Sequence, residues 1–463
     1  MASRDSAVKR AGDYFASEGF VRDLSNLVSY RTESQEDGRD KDLRAYLADA
    51  MEPALQALGF QCETFENPDP SGGPFLLGVR HEGNTLPTIL IYGHGDVIRG
   101  QDGLWDDGLS PFTLTARGER YYGRGTADNK GQHWINLSAL RCVLEERGSL
   151  GFNCKVIIET GEEIGSPGLA ALFSRHPDAF AADALIASDG PRLSAKRPTL
   201  FTGSRGAINF DLTVNYRDGA HHSGNFGGLL KDPGIVLSHA IASIADARGR
   251  IQVPEWRPDS LTPAVRALLA ECDPGESASD PAIDADWGEA DQSPAERVFG
   301  WNSFAVLAFK TGLPESPVNA IQGHAKAHCQ LRYVVGTDPE DIIPALRRHL
   351  DRNGFGDVTV TPQDRGFFKA TRLDPDNPWF RWAAESLERT TGARPAMLPN
   401  LGGSLPNDTF SEILGLPTIW VPHSYPGCSQ HAPNEHLLAP VAEEGLRIMA
   451  GLFWDLGERS RRG

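Results

Sequence analysis

Four short apolar segments, each bounded by turn-forming residues, constrain the fold of this 463-residue chain most strongly. Apolar runs of this length are typical of strands that are buried on both faces of a sheet. A helical pattern lies between the first two, from Lys130 to Glu146, and the strand-helix-strand order predicts an α/β fold with a mixed, mostly parallel sheet flanked by helices. The four segments are Thr88 to Tyr92, Lys155 to Glu159, Ala184 to Ala187 and Leu416 to Val421.

The pattern changes to strict alternation of apolar and polar residues from Ala207 to Tyr216 and again from Ala325 to Tyr333. Such alternation indicates a sheet with one exposed face. A helix is predicted to open at Asp338-Pro339 and to end near Gly354. Since the chain is longer than one core usually supports, we interpret residues 204–368 as an inserted α+β domain, and residues 1–203 with 369–463 as a discontinuous catalytic domain.

The charge balance narrows the choice of partners. The chain has 45 basic and 62 acidic residues and a formal charge of -17, which argues against nucleic acid or an anionic membrane as the main partner. We find neither the apolar core of a signal peptide nor an apolar stretch of about 18 residues, and we expect a cytoplasmic protein without a membrane partner. The six cysteines form no CxxC pair, so a thiolate zinc site is not indicated.

Three of the apolar segments end close to residues that could bind a metal. His94 and Asp96 follow the first segment, the adjacent pair Glu162 and Glu163 follows the second, and Asp189 follows the third. Functional groups in an α/β sheet collect beyond the carboxyl ends of the strands. We therefore expect these side chains at one edge of the sheet, where a cation would offset the repulsion within the acidic pair.

Two further candidates lie in other parts of the chain. Asp128 stands in a glycine-rich turn that lacks the spacing of a phosphate-binding P-loop. His431 lies ahead of the last helix, with His423 and His436 as rivals nearby. With one bridging carboxylate, five imidazole and carboxylate ligands give three bonds to each of two divalent ions, and Glu162 is left free as a base. The five predicted ligands are His94, Asp128, Glu163, Asp189 and His431.

With these residues assembled, the chain resembles the dinuclear zinc hydrolase family of carnosinases, glutamate carboxypeptidases, acetylornithine deacetylases and succinyl-diaminopimelate desuccinylases. The resemblance runs nearly from end to end and rests on motifs in the order that the family uses. They are Gly93-His94-Gly95-Asp96-Val97, Tyr122 to Gly125 with Asp128 to Gly131, Glu162 to Ser166, Ser188-Asp189, His222-Ser223-Gly224 and His431 to Glu435.

The resemblance implies a role for each metal ligand. His94 and Asp189 would hold one metal, Glu163 and His431 would hold the other, and the carboxylate of Asp128 would bridge them. The peptide bond between Asp128 and Asn129 would be cis. Asp96 would orient His94. The metals are expected to be zinc, with manganese or cobalt as alternatives, and Glu162 would act as the general base that deprotonates the attacking water.

Other positions look most like the dipeptidase branch of the family. Arg332, Gly403 and Ser404 would bind the substrate, and His222 would reach the active site of a partner subunit. In that branch the inserted domain is a lid that also forms a homodimer. One departure is the sequence Val97-Ile98-Arg99-Gly100, because the family commonly has a proline soon after its His-x-Asp motif.

The expected reaction is hydrolysis of an amide bond in a small substrate, such as a dipeptide or an N-substituted amino acid. An N-acyl amino acid deacylase and an aromatic amide or amine hydrolase are alternatives, and a catalytically silent binding protein of the same fold is a remote one. The acidic segment 273–296 is either a loop that faces the substrate or a solvated insertion, and the sequence favours the second interpretation.

Overall fold

The structure, a computed structural model, describes residues 2–275, 281–363 and 368–462. In chain order the strands are β1 (Gln61–Phe65), β2 (Phe75–Arg80), β3 (Thr88–His94), β4 (Thr115–Arg117), β5 (Arg120–Tyr122), β6 (Asn153–Glu159), β7 (Ala184–Ala187), β8 (Thr199–Phe201), β9 (Gly206–Asn215), β10 (His221–His222), β11 (Ser303–Lys310), β12 (Ala320–Ile321), β13 (His324–Tyr333), β14 (Thr359–Pro362), β15 (Ala396–Leu398), β16 (Thr418–Trp420) and β17 (His436–Leu438).

The α-helices lie mostly between these strands. No helix among the described residues is both long and apolar enough to cross a membrane. In chain order they are α1 (Arg4–Ala16), α2 (Gly19–Val28), α3 (Asp40–Ala45), α4 (Glu52–Ala57), α5 (Lys130–Arg147), α6 (Leu169–Arg175), α7 (Pro177–Phe180), α8 (Ser223–Phe226), α9 (Pro233–Ile244), α10 (Pro263–Leu269), α11 (Pro294–Phe299), α12 (Ile342–Arg352), α13 (Pro378–Thr391) and α14 (Ala439–Arg462).

An eight-stranded sheet with the strand order β1-β2-β6-β3-β7-β16-β8-β15 organises the larger part of the chain. The pairs β6–β3, β3–β7, β7–β16 and β8–β15 are parallel, and the remaining neighbours are antiparallel. The predicted mixed, mostly parallel sheet is therefore confirmed. The helix predicted after Asn129 is α5, which ends where Gly148 adopts a left-handed φ of 77°.

Burial on both faces explains why the central strands have continuous apolar sequences. In β3, Ile89 and Ile91 pack into one apolar cluster with α1, α5 and α14, whereas Leu90 and Tyr92 pack into the cluster on the opposite face. Successive side chains of a strand point to opposite faces, so a strand covered on both sides must be apolar throughout.

A second, antiparallel sheet has the strand order β11-β13-β9-β14. Alternate residues of β9 and β13 are buried, as their sequences predict. Leu237 from α9 and Leu346 from α12 pack on the buried face. These elements lie within residues 204–368, and the boundaries of that domain stay a prediction.

The helix predicted to open at Asp338-Pro339 begins later, at Ile342. The Asp338 side chain accepts a hydrogen bond from the backbone N–H of Glu340 at 3.0 Å and its carbonyl accepts one from Asp341 at 3.2 Å, which closes a separate turn before the helix. The predicted start was therefore wrong by three residues, because an aspartate can cap a turn as well as a helix.

One part of residues 204–368 packs on the central sheet instead of on the second sheet. Val265 and Leu269 of α10 and Phe299 of α11 belong to the same apolar cluster as Phe201 and Trp420 of the central sheet. The described ends of the segment between these two helices therefore lie close to the central sheet.

Candidate metal centre and active site

The ends of three parallel strands bring the predicted ligands together. Strands β3 and β6 pair in register up to His94 and Glu159, and β7 lies on the other side of β3. The chain continues from β6 into a short 3₁₀-helix, Glu162–Ile164, and from β7 to Asp189. Because the carboxyl ends of parallel strands share one edge of a sheet, the ligand-bearing residues meet there.

The ligand atoms form two groups that share Asp128. In the first, His94 Nε2 lies 3.0 Å from Asp128 Oδ1 and 3.6 Å from Asp189 Oδ2. In the second, His431 Nε2 lies 3.0 Å from both Asp128 Oδ2 and Glu163 Oε2. Within each group the ligand atoms lie within 4.8 Å of one another. Each oxygen of Asp128 thus faces a different group.

The turn that carries Asp128 is held by Glu435, for which no separate role was predicted. One oxygen of Glu435 accepts hydrogen bonds from the backbone N–H groups of Gly125, Ala127 and Asp128 at 2.9–3.1 Å. The other accepts a hydrogen bond from the buried Arg124 guanidinium at 2.8 Å. The peptide bond from Asp128 to Asn129 is cis, as the family resemblance predicted. The signal for Glu435 was its place in the motif that begins at His431.

Asp96 connects the first ligand to the acidic pair. The Nδ1 atom of His94 lies 3.0 Å from the carbonyl oxygen of Asp96 and 3.4 Å from its carboxylate. The two carboxylate oxygens accept hydrogen bonds from the backbone N–H groups of Glu162 and Glu163, both at 3.1 Å, and one also accepts from Ser34 at 2.7 Å. Asp96 is therefore positioned to fix both the ring of His94 and the segment that carries the two glutamates.

The segment that departs from the family pattern, Val97 to Gly100, is held at both ends. The backbone N–H of Val97 donates a hydrogen bond to the carbonyl of Thr32 at 2.8 Å, and the Val97 carbonyl accepts one from the N–H of Ser34 at 3.2 Å. At the other end, the N–H of Gly100 donates to the carboxylate of Glu33 at 2.8 Å. These hydrogen bonds connect the segment to residues 32–34.

Burial raises the pKa of three carboxyl groups of the site, and hydrogen bonds with histidines outweigh it at the fourth. Burial raises the pKa of Glu162 well above the usual carboxyl range. Burial, together with the charge of Asp128, raises the pKa of Glu163 to about 7 and that of Asp189 to about 6. Burial also acts to raise the pKa of Asp128, but hydrogen bonds with His431 and His94 outweigh it and hold the pKa below the usual range.

The two groups fit a pair of divalent cations. Asp189 Oδ2 is buried and has no hydrogen-bond partner among the described residues, although a buried carboxylate oxygen needs one or a cation. Imidazole and carboxylate ligands suit zinc, manganese and cobalt. Two cations would also compensate the charges of the converging carboxylates.

A cavity of about 630 Å³ opens onto these groups. Glu162 lines it beside Asp128, Asp189 and His431, yet Glu162 belongs to neither ligand group. Arg332, Gly403 and Ser404 also line the cavity, and Arg332 Nη1 donates a hydrogen bond to Ser404 Oγ at 3.2 Å. The structure thus brings the predicted base, three of the five predicted ligands and three of the four predicted substrate-binding residues to one cavity. Gln430, which sequence reasoning passed over, donates to Asp128 Oδ2 at 2.5 Å.

His222 is not among the residues that line this cavity. It is exposed on β10, which pairs with β12. The rivals of His431 are bonded elsewhere. His436 Nε2 lies 2.7 Å from the hydroxyl of Tyr425, and His423 is buried beside Gly445 outside both ligand groups.

Together, the fold and the paired ligand groups are those of a metal-dependent hydrolase. Residues 90–455 match the family model described as Peptidase family M20/M25/M40, and the chain belongs to this family.

Two relatives and one solved structure show where the chain lies within it. The chain is 27% identical over 398 residues to a cysteinylglycine-S-conjugate dipeptidase of Corynebacterium striatum, with 84% of each chain covered. It is 32% identical over 411 residues to a Cys-Gly metallodipeptidase of Schizosaccharomyces pombe, which covers 84% of this chain and 83% of that protein. An M20 family metallo-carboxypeptidase from Sulfolobus solfataricus shares the fold with a TM-score of 0.79 at 23% identity, covering 95% of this chain and 99% of that chain. The predicted family and its dipeptidase branch are confirmed.

The raised pKa values predict that metal binding releases protons. Near pH 6 the carboxyl groups of Glu163, with a pKa of about 7, and Asp189, with a pKa of about 6, are partly protonated in the metal-free protein, and ligation requires their ionised forms. The affinity for zinc should therefore rise as the pH is raised from about 5 to 8. Calorimetric titration at pH 6 in buffers with different ionisation enthalpies measures the released protons, and Glu163→Gln should lower their number. A heat that does not depend on the buffer would contradict this.

Proposed function

We propose that the protein is a dipeptidase that binds two divalent metal ions. Zinc is the metal we propose, with manganese and cobalt as alternatives. His94 and Asp189 would hold one ion, Glu163 and His431 the other, and Asp128 both. One observation carries the proposal. Asp128 belongs to both ligand groups, and Glu162, which belongs to neither, lines the same cavity. Both relatives described above are named as dipeptidases. Bound divalent cations supply Lewis-acid chemistry, which polarises a substrate carbonyl and makes water more acidic.

Glu162 is the proposed general base. It faces the cavity from the 3₁₀-helix that also carries Glu163, so its carboxylate lies beside the ligand groups without belonging to either. Its raised pKa suits a group that takes a proton from the attacking water and then passes it to the leaving nitrogen. The carboxylate of Asp96 holds the backbone of this helix, because it accepts hydrogen bonds from the N–H groups of Glu162 and Glu163.

The free carboxylate of the substrate would bind at the other side of the cavity. Arg332 offers a guanidinium that ends beside Ser404, and it is oriented by a 3.1 Å hydrogen bond from its Nε to Gln330. A guanidinium can bind a carboxylate through two hydrogen bonds. Gly403 lines the cavity next to Ser404 and leaves room for the substrate backbone.

Replacing the base should separate chemistry from metal binding. Glu162→Gln keeps the size of the side chain but removes the proton acceptor, so kcat should fall by a factor of about 10²–10⁴. The metal content should stay at the wild-type value, because Glu162 is not a ligand. Turnover of Cys-Gly and Gly-Gly, beside acylated amino acids and aromatic amides, together with elemental analysis of both proteins, measures the two effects. Loss of metal from the variant would refute the assignment, and turnover of acylated amino acids alone would favour the deacylase alternative.

We further propose that residues 204–368 form a lid that makes a homodimer. Strand β11 is an edge strand of the second sheet, and most of its residues are exposed. Its side chains include Val306, Leu307 and Phe309, and Ile235 and Val318 are further exposed apolar residues of the same domain. An edge strand with unpaired backbone groups and exposed apolar side chains favours association with a second copy.

The cytoplasmic location stays a prediction.

In such a dimer His222 would serve the active site of the partner subunit. Its exposure, and its absence from the residues that line the cavity of its own chain, support this role. Its imidazole would stabilise the oxyanion that forms when water attacks the carbonyl.

Mixing two inactive variants tests the role of His222 in trans. Glu162→Gln and His222→Ala should each be inactive as homodimers. A refolded equimolar mixture should recover about one quarter of wild-type activity, because half of the dimers pair the variants and each has one complete site. No recovery from a mixture that exchanges subunits would contradict action in trans. A wild-type protein that is a monomer by light scattering would contradict the dimer itself.

A further inference from the structure

Apart from the ligand groups and two arginines, most of the residues that line the cavity are apolar. Beside Leu398 they include five side chains that we call the apolar wall, namely Leu193, Ile283, Phe299, Leu401 and Leu405. Four of these residues are buried in the cluster that packs on the central sheet, and their positions are therefore fixed by the core. Apolar walls with a few placed polar groups are typical of small-molecule sites, in which the polar groups orient the ligand and the wall recognises its apolar part.

Ile283 differs from the other members of the apolar wall. It comes from the acidic segment 273–296, which sequence reasoning favoured as a solvated insertion, and 50% of its surface is exposed. The described ends of this segment, with Pro274 and Pro281, also face the cavity. No acidic residue of the described part of the segment lines it. A half-exposed isoleucine gains most when an apolar ligand group removes its surface from water.

An acidic side chain is the competing ligand, since Arg192 also lines the cavity. Its guanidinium is buried and already contacts the carboxylate of Glu444, and its Nε donates to the carbonyl of Pro422 at 3.2 Å. Its Nη2 has no hydrogen-bond partner among the described residues. Because Glu444 balances the charge of Arg192, and Arg332 is assigned to the terminal carboxylate of the substrate, an ionised side chain would lose its hydration without meeting a further free cation.

We propose that the cavity selects a dipeptide with one large apolar side chain, and that Ile283 is a specificity-determining residue that covers that side chain. The proposal rests on the dipeptidase function proposed above and names its substrate class. The polar and the apolar residues of the cavity then have separate roles. Charged groups orient the amide bond and the terminal carboxylate, and the apolar wall discriminates between side chains.

The test compares kcat/KM of the zinc-loaded protein for Gly-Gly, Leu-Gly, Gly-Leu, Asp-Gly and Gly-Asp. We expect the wild type to prefer one leucine dipeptide over Gly-Gly by about tenfold or more. In Ile283→Ser that preference should fall by about fivefold or more, with Gly-Gly turnover changed by less than about twofold, and Ile283→Leu should restore it. Ile413→Ser is the matched control, because Ile413 is 43% exposed and does not line the cavity, and its substrate preference should equal that of the wild type.

Each outcome bears on the proposal. A preserved leucine preference in Ile283→Ser, an equal loss in Ile413→Ser, or a wild-type preference for an aspartyl dipeptide would overturn the role of the apolar wall while leaving the dipeptidase function intact. Cleavage of none of the five dipeptides by metal-replete protein would overturn both. Because Gly-Gly carries no side chain, its turnover separates a failed specificity argument from a failed function.

Discussion

The sharing of one carboxylate between two histidines is the interaction on which this active site depends. Each oxygen of Asp128 lies 3.0 Å from a different imidazole, that of His94 or that of His431, and these two ligands are 337 residues apart in the sequence. Neither ligand group is complete without Asp128. The two candidate metal positions are therefore coupled by geometry.

The fold surrounds this carboxylate with supports of two kinds. Parallel strands deliver His94 and Asp189 to the same edge of the sheet, and buried hydrogen bonds fix the connecting turns. Glu435 accepts hydrogen bonds from three backbone N–H groups of the turn that carries Asp128, and the guanidinium of Arg124 balances its charge. Such buried polar networks are costly when incomplete, so the turn has one well-defined arrangement. Precise placement of the ligands requires this rigidity. Burial favours protonation of each carboxylate of the site, and only correctly placed partners can oppose it.

The sequence predicted the parts that follow from periodicity and from strand ends. The central strands, α5 and the alternating strands β9 and β13 could be anticipated, because burial on two faces or on one leaves a distinct pattern. The convergence of His94, Glu163 and Asp189 could be anticipated from strand ends, whereas the assignment of Asp128 and His431 also needed the family motifs. The apolar wall could not, since Leu193, Ile283 and Leu401 come from three segments with no common period. The motif that begins at His431 includes Glu435, but its role could not be predicted, because three of its hydrogen bonds come from backbone N–H groups, which leave no mark in a sequence. The roles of His222 and Arg332 still rest on the family resemblance and on their places in the fold.

Metal stoichiometry of two alanine variants tests the shared carboxylate most directly. After zinc loading and removal of excess metal, elemental analysis should give about two ions per wild-type chain and about one for His94→Ala, because only one ligand group is damaged. Asp128→Ala should lose both ions at a zinc concentration that saturates the wild type, since both groups lose a ligand. An Asp128→Ala protein that keeps one ion with wild-type affinity, while remaining folded, would contradict the account.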